Sequence, residues 1–261
     1  MNYYEERTKT QRAERMGEIN YNTRGRRMII IEYVNSTNIT IKFDNDYTVK
    51  CTYANFKIGE ILNLYDTTLY NVGYLGMGVY KQSINNKFTL QFNTWRAMIG
   101  RCYDSNSHIN PTYIDCTVCK DWHNFQVFAK WFDKNYYEIK KGDMRLDKDI
   151  LHKGNKIYAP NNCVFTPHNI NTLFTKRQNY RGDYPIGVTI DKRNGKFVSK
   201  CNMGKTGKVK YLGQYNTPLE AFDSYKQFKE IMIKKIADEY KDRIPKKLYD
   251  AMYKYIVEIT D

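Results

Sequence analysis

The apolar residues of this chain switch between two spacings, and that switch constrains the fold more than any other feature. Between residues 28 and 51 they alternate: the run Met28–Tyr33 is followed by Ile39, Ile41 and Phe43, a polar turn at Asp44, Asn45 and Asp46, and then Tyr47, Val49 and Cys51. A period of two marks strands with one buried face, so this stretch predicts a hairpin within a small antiparallel sheet or barrel. Further on, Trp95, Met98, Ile99 and Cys102 recur at helical spacing, as do Trp122, Phe125, Ala129 and Phe132, which predicts two amphipathic helices. Near the end of the chain Ala221, Tyr225, Phe228, Met232 and Ile236 form a third stripe. It follows Thr217, Pro218, Leu219 and Glu220, a capping box with proline at the first helical position, so this helix start is specified twice.

The expected class is therefore α+β in three parts. Residues 1–85 read as a small β-rich domain behind a polar, charged arm, with Phe56, Ile58, Gly59 and Ile61 continuing its sheet and the glycines between 71 and 80 marking tight turns. Residues 86–178 turn helical and then short-stranded, and 179–261 read as a three-stranded sheet plus a long helix. The polar stretch 175–182 reads as a hinge, and Pro245 restarts a second packing helix.

Charge then bears on partners. The chain carries 42 Lys and Arg against 28 Asp and Glu, a formal net charge of +14, which favours a polyanion, with double-stranded DNA the first choice because counterion release rewards each phosphate contact. Against a membrane stands the lack of any apolar run of about 18 residues or of a basic helix with an unbroken apolar face. The first residues have no apolar centre of the signal-peptide kind, so the expected location is a reducing cytoplasm, that of a bacterial host cell. The arm and Arg24, Arg26 and Arg27 read either as a phosphate grip or as a solvated edge that discourages strand-to-strand aggregation. Six cysteines are too sparse for a disulfide scaffold. Cys116 and Cys119 form a CxxC that, with Cys102 and Cys163, reads either as a structural zinc site or as buried free thiols.

Residues 145–171, RLDKDILHKGNKIYAPNNCVFTPHNIN, resemble the core of an HNH nuclease. An acidic residue, Asp147, ends one short strand, Asn162 opens a second after a loop, and Asn171 follows nine residues later in a helix. The spacing WxxMxxRCY, VCxxW, LDKD and GNxxYxPxNCxF resembles phage and prophage HNH-like proteins over roughly 75 residues. The resemblance implies a ββα-metal fold in which Asp147 and Asn171 hold Mg²⁺ or Mn²⁺ against the scissile phosphate, Asn162 braces the loop, and Lys148 occupies the place of the general-base histidine. That replacement matters, because a base must be neutral near pH 7, which a pKa of about 6.5 allows and one of about 10.4 does not. Three rescues are open: Lys148 as a base of depressed pKa, Lys148 as a clamp on the phosphate, or His168 or His152 as the imidazole.

Residues 184–230 resemble an AP2-type DNA-binding domain, carried by the LGxYxTxxEA element that runs into the long helix. The resemblance implies that the face of the sheet away from this helix meets DNA. Along its strands the chain offers Lys192, Arg193, Lys196, Lys200, Asn202, Lys208 and Lys210, residue types that read guanine and adenine edges or grip phosphate. Where the family places arginines and tryptophans this chain has lysines and Phe197, which favours phosphate grip over base choice. Two classes of function follow: a phage-type homing endonuclease of the HNH kind, or a catalytically degenerate DNA-binding protein with a regulatory or inhibitory role. An RNA-binding role is a distant third, without an RNP or KH signature. The oligomeric state is not written in the sequence.

Overall fold

The structure, a computed structural model, describes residues 3–104, 113–140, 142–175, 183–203 and 208–261. It is an α+β protein of helices and several small, mostly antiparallel sheets. The chain packs as two compact units, 1–78 and 79–261. Among the described residues no helix is long and apolar enough to cross a membrane.

In the first unit a helix, α1 (Tyr3–Arg15), precedes a four-stranded sheet of β1 (Ile19–Tyr21), β2 (Arg27–Asn35), β3 (Asn38–Phe43) and β4 (Thr48–Cys51), in sequential order. The expected alternation holds: Met28, Ile30, Tyr33, Ile39, Ile41 and Phe43 are buried on one face. One feature was not anticipated and one local expectation does not hold. The charged arm is helical, docked through Arg15, whose guanidinium donates to the Tyr33 hydroxyl at 2.7 Å and lies 3.9 Å from the Tyr53 ring centre. No apolar stripe announced it, because the docking uses cation–π contact rather than burial of aliphatic side chains. Phe56 and Ile58 lie in a short helix, α2 (Tyr53–Ile58), instead of a strand. Thr52 caps its start, and Gly59 ends it in the left-handed region, where any Cβ would stand 2.7 Å from the Tyr21 carbonyl oxygen.

The second unit opens with a two-stranded hairpin, β5 (Ser83–Ile84) and β6 (Lys87–Phe88), turned by Asn85 and Asn86, both at positive φ. Next come α3 (Leu90–Tyr103), β7 (Thr117–Val118), α4 (Phe125–Asn135), β8 (Met144–Asp147), β9 (Ile157–Tyr158), β10 (Val164–Pro167) and the one-turn helix α5 (His168–Asn171). Trp122, expected within α4, precedes it in a 3-10 turn, because Asn124 accepts the Gln126 N–H and starts the helix after the tryptophan. An aromatic core follows: Phe92 meets Phe125, Trp122 meets Phe128, Phe165 meets Phe132 and Trp131, and the Trp95 indole donates to the Trp122 carbonyl.

Strands β11 (Val188–Asp191), β12 (Lys196–Asn202) and β13 (Val209–Tyr215) form an antiparallel sheet in that order, followed by α6 (Pro218–Tyr240) and α7 (Lys246–Lys254). The capping box is made in full: Thr217 accepts the Glu220 N–H, and the Glu220 carboxylate accepts the Thr217 N–H. Of the expected stripe, Ala221, Tyr225 and Met232 are buried and Phe228 and Ile236 partly so, and α7 buries Leu248 and Met252. Residues 176–182, where the hinge and the 178/179 boundary were expected, lie outside the described residues. Across that interval one core is continuous, joining Ile150, Val164 and Ile170 to Val188, Cys201 and Ile233.

Candidate functional site

Strands β8 and β10 pair antiparallel, with Asp147 opposite Val164 and Met144 opposite Pro167, and α5 packs against both. Residues 145–171 thus run through strand β8, a loop holding the short strand β9, which pairs with β7, strand β10 and helix α5. Asp147 ends β8, and its Oδ1 accepts the backbone N–H groups of Asp149 at 2.9 Å and Ile150 at 2.8 Å, turning the chain into the loop. Burial, with Asp149 close by, pushes the Asp147 carboxyl up to about 6, against the two backbone N–H bonds that pull the other way.

Lys148 is 6% exposed. Its ammonium donates to the Asn155 carbonyl at 3.1 Å and to Asp149 Oδ2 at 3.3 Å, and lies 5.9 Å from the centre of the Tyr158 ring. The Asn155 amide donates to the carbonyls of Lys148 at 2.7 Å and Ile157 at 2.8 Å, and its Oδ1 accepts from Asn162 Nδ2 at 3.1 Å. Asn162 also donates to the Ile157 carbonyl. It lies in the turn two residues ahead of β10 rather than opening the strand, and its side chain braces the loop. Lys148, Asn155 and Asn162 therefore form one polar lattice that closes the 148–157 loop on itself. Asn155 was not among the residues singled out from the sequence; the signal was its place in the GNxxYxPxN spacing.

Asn171 ends α5, half-buried, and its side chain makes no hydrogen bond among the described residues. His168 opens α5 and is exposed. The register places it four residues beyond Val164, the partner of Asp147, which at about 3.4 Å per residue is roughly 13 Å along the hairpin. His152, in the loop with Lys148, is exposed as well.

Comparison with protein-family models, with curated proteins and with solved structures finds no match to this chain.

The Asp147 carboxylate, which also meets the Asp149 side chain, and the Asn171 amide oxygen are hard oxygen donors on elements that pack together, and a half-buried carboxyl that resists ionisation gains from a nearby cation. Both are of the oxygen type that Mg²⁺ or Mn²⁺ takes. The cysteines are arranged otherwise. Cys102 is within electrostatic reach of Cys116, and Cys163 within reach of Cys119, while among the described residues no three His, Cys, Asp or Glu side chains are grouped to hold one ion. Burial pushes the Cys102 thiol up to about 11 and Cys163 to about 12, and raises Cys119 too. Cys102, Cys119 and Cys163 thus sit where burial disfavours the thiolate.

On the C-terminal sheet all seven expected contact residues are exposed, but they do not share one face. Lys196, Lys200 and Asn202 alternate with Phe197, Ser199 and Cys201, which lie on the side of α6. Lys210 pairs with Cys201 and so takes the parity of the α6 side, as does Lys208, and Tyr211 pairs with Lys200 on the outer face. The bulge between Ser199 and Lys200 causes this shift. Lys192 and Arg193 lie in the β11–β12 turn, and Arg193 makes a two-point contact with Asp191, Nε to Oδ1 at 3.0 Å and Nη2 to Oδ2 at 2.8 Å. Those bonds hold Asp191 down to about 2. In the first unit Arg26 is also engaged, by the buried Asp66 at 2.6 Å, which leaves Arg24 and Arg27 exposed.

Proposed function

We propose that this chain binds double-stranded DNA and hydrolyses its phosphodiester backbone at the β8, β10 and α5 element, with Mg²⁺ or Mn²⁺ held by Asp147 and Asn171. In this reading the middle of the chain is a ββα-metal domain of the HNH kind, the end an AP2-like domain that selects the site, and the whole resembles a phage-type homing endonuclease. What supports it is that Asp147 and Asn171, both oxygen donors, sit on elements that pack together beside a loop whose geometry is locked. A divalent ion held there would supply Lewis-acid charge at the phosphate and acidify a bound water. Lys148, Asn155 and Asn162 keep the loop in shape and Asp147 aimed. The proton of the attacking water would need an acceptor, and the candidate imidazoles, His168 and His152, are both exposed. Lys196 and Lys200 grip phosphate from the outer face of the sheet, with Lys192, Lys208 and Lys210 adding charge around it.

One observation favours a second reading, a degenerate nuclease fold that only binds DNA. Lys148, in the place of the base, donates from a buried ammonium to two oxygens, which is the work of a strut and not of a proton acceptor. Nicking of supercoiled plasmid with Mg²⁺ or Mn²⁺ separates the two. Hydrolysis predicts turnover that Asp147→Ala and Asn171→Ala abolish with DNA binding intact, and His168→Ala and His152→Ala identify the base. Intact binding by the unaltered chain with no nicking under either metal refutes hydrolysis and leaves the second reading.

A further inference from the structure

On the α6 side of the C-terminal sheet lies an open groove of about 640 Å³ that the DNA reading does not use. Its apolar floor is Leu212 and Tyr215 from β13 with Phe228 and Ile231 from α6, and Ile231 is 67% exposed although it is a large aliphatic residue on a long helix. The groove runs beside the edge of the sheet. Strand β12 occupies one edge of β13, and among the described residues no strand pairs with the other. Val209 and Tyr211 are also exposed, at 60% and 55%. An unpaired strand edge next to an apolar cleft lined by a helix is the general geometry of strand addition: main-chain bonds supply affinity, and alternate side chains drop into the cleft.

Charge identifies the occupant. The ionisable groups lining the groove are Glu220 and Asp223, in a chain whose net charge is +14. Both charges in the lining are negative, which favours Lys or Arg at the Glu220 and Asp223 end of an extended apolar peptide, with Lys208 and Lys210 on the same side toward the other end of β13. We propose that the β13 edge and the α6 groove take an extended protein segment of alternating apolar residues flanked by basic ones, added antiparallel or parallel as a fourth strand. The partner is a protein, and the outer face of the sheet stays available to it or to DNA at the same time.

The probe is the fluorescein-labelled peptide acetyl-Lys-Lys-Val-Thr-Val-Thr-Val-amide, titrated with the full chain and read by anisotropy. Saturable binding is expected, with Kd on the order of 10–100 µM for a contact of this size, together with slower amide exchange in residues 209–215. Ile231→Asp and Asp223→Lys, both at exposed positions that leave the core untouched, each weaken it by about tenfold or more. A peptide with proline for its central threonine does not bind, since proline lacks the ladder donor. No binding, or binding that neither variant nor the proline changes, overturns the proposal. So does a chain that sediments as a dimer and becomes monomeric in Ile231→Asp, since the groove then belongs to a second copy.

Discussion

Asn155→Ala tests the lattice on which the candidate site depends. The substitution removes two short donations, to the Lys148 carbonyl at 2.7 Å and the Ile157 carbonyl at 2.8 Å, and two longer acceptances, from Asn162 Nδ2 at 3.1 Å and the Ile157 N–H at 3.3 Å. These are not equal. Ile157 is 46% exposed, so water replaces much of what its groups lose, whereas the carbonyl of buried Lys148 is left without its donor. At about 1 kcal/mol for a typical bond, more for a buried group left unsatisfied, the loss comes to about 2–3 kcal/mol. Asn162→Ala removes only the 3.1 Å bond and a 3.3 Å bond to Ile157, for about 1 kcal/mol. The two share a bond, so the double variant falls short of additivity by about 0.5–1 kcal/mol. All three tryptophans, Trp95, Trp122 and Trp131, lie in the second unit, so urea unfolding followed by tryptophan fluorescence reports that unit alone. In a unit of this size the Asn155 change lowers Tm by roughly 4–12 °C. A loss under about 0.5 kcal/mol, or one smaller than that of Asn162→Ala, would refute the lattice as the element that holds the loop.

Burial that lifts Asp147 to about 6 makes the folded chain bind a proton that the unfolded chain, near 3.8, has released. The stabilisation is complete below about 4 and is lost as pH rises through 6, so urea midpoints decline across that window, and Asp147→Asn or added Mg²⁺ flattens the decline. Lys196→Ala and Lys200→Ala each lower the slope of log affinity against log salt by about one on any duplex sequence; an unchanged slope places those side chains off the DNA. Lys229 on α6 is buried beside Cys201, forms no ion pair or hydrogen bond among the described residues, and is held below the usual lysine range by its burial. Lys229→Met is expected to raise stability by about 1–2 kcal/mol by removing an uncompensated buried ammonium, and a lower urea midpoint would contradict that.

What the sequence alone determined is whatever local chemistry dictates. Alternation at 28–51 specified strands β2 to β4 because a pleated chain has only two faces, and the Thr217 and Glu220 box specified the start of α6 because only a helix leaves those N–H groups to be capped. The strand and helix order of residues 145–171 was expected only from the resemblance to the HNH core, since no periodicity of its own marks it. Tertiary contacts decided the rest. That the Lys148 amine meets the Asn155 carbonyl, seven residues on, and the ring of Tyr158 was set by how the loop closes. The helix over the charged arm depended on two tyrosines far along the chain receiving Arg15, and the parting of Lys210 from Lys200 on a single bulge. Spacing encodes which face a residue occupies; it does not encode which partner burial will bring to that face, because that pairing is set by the packing of elements distant in the chain.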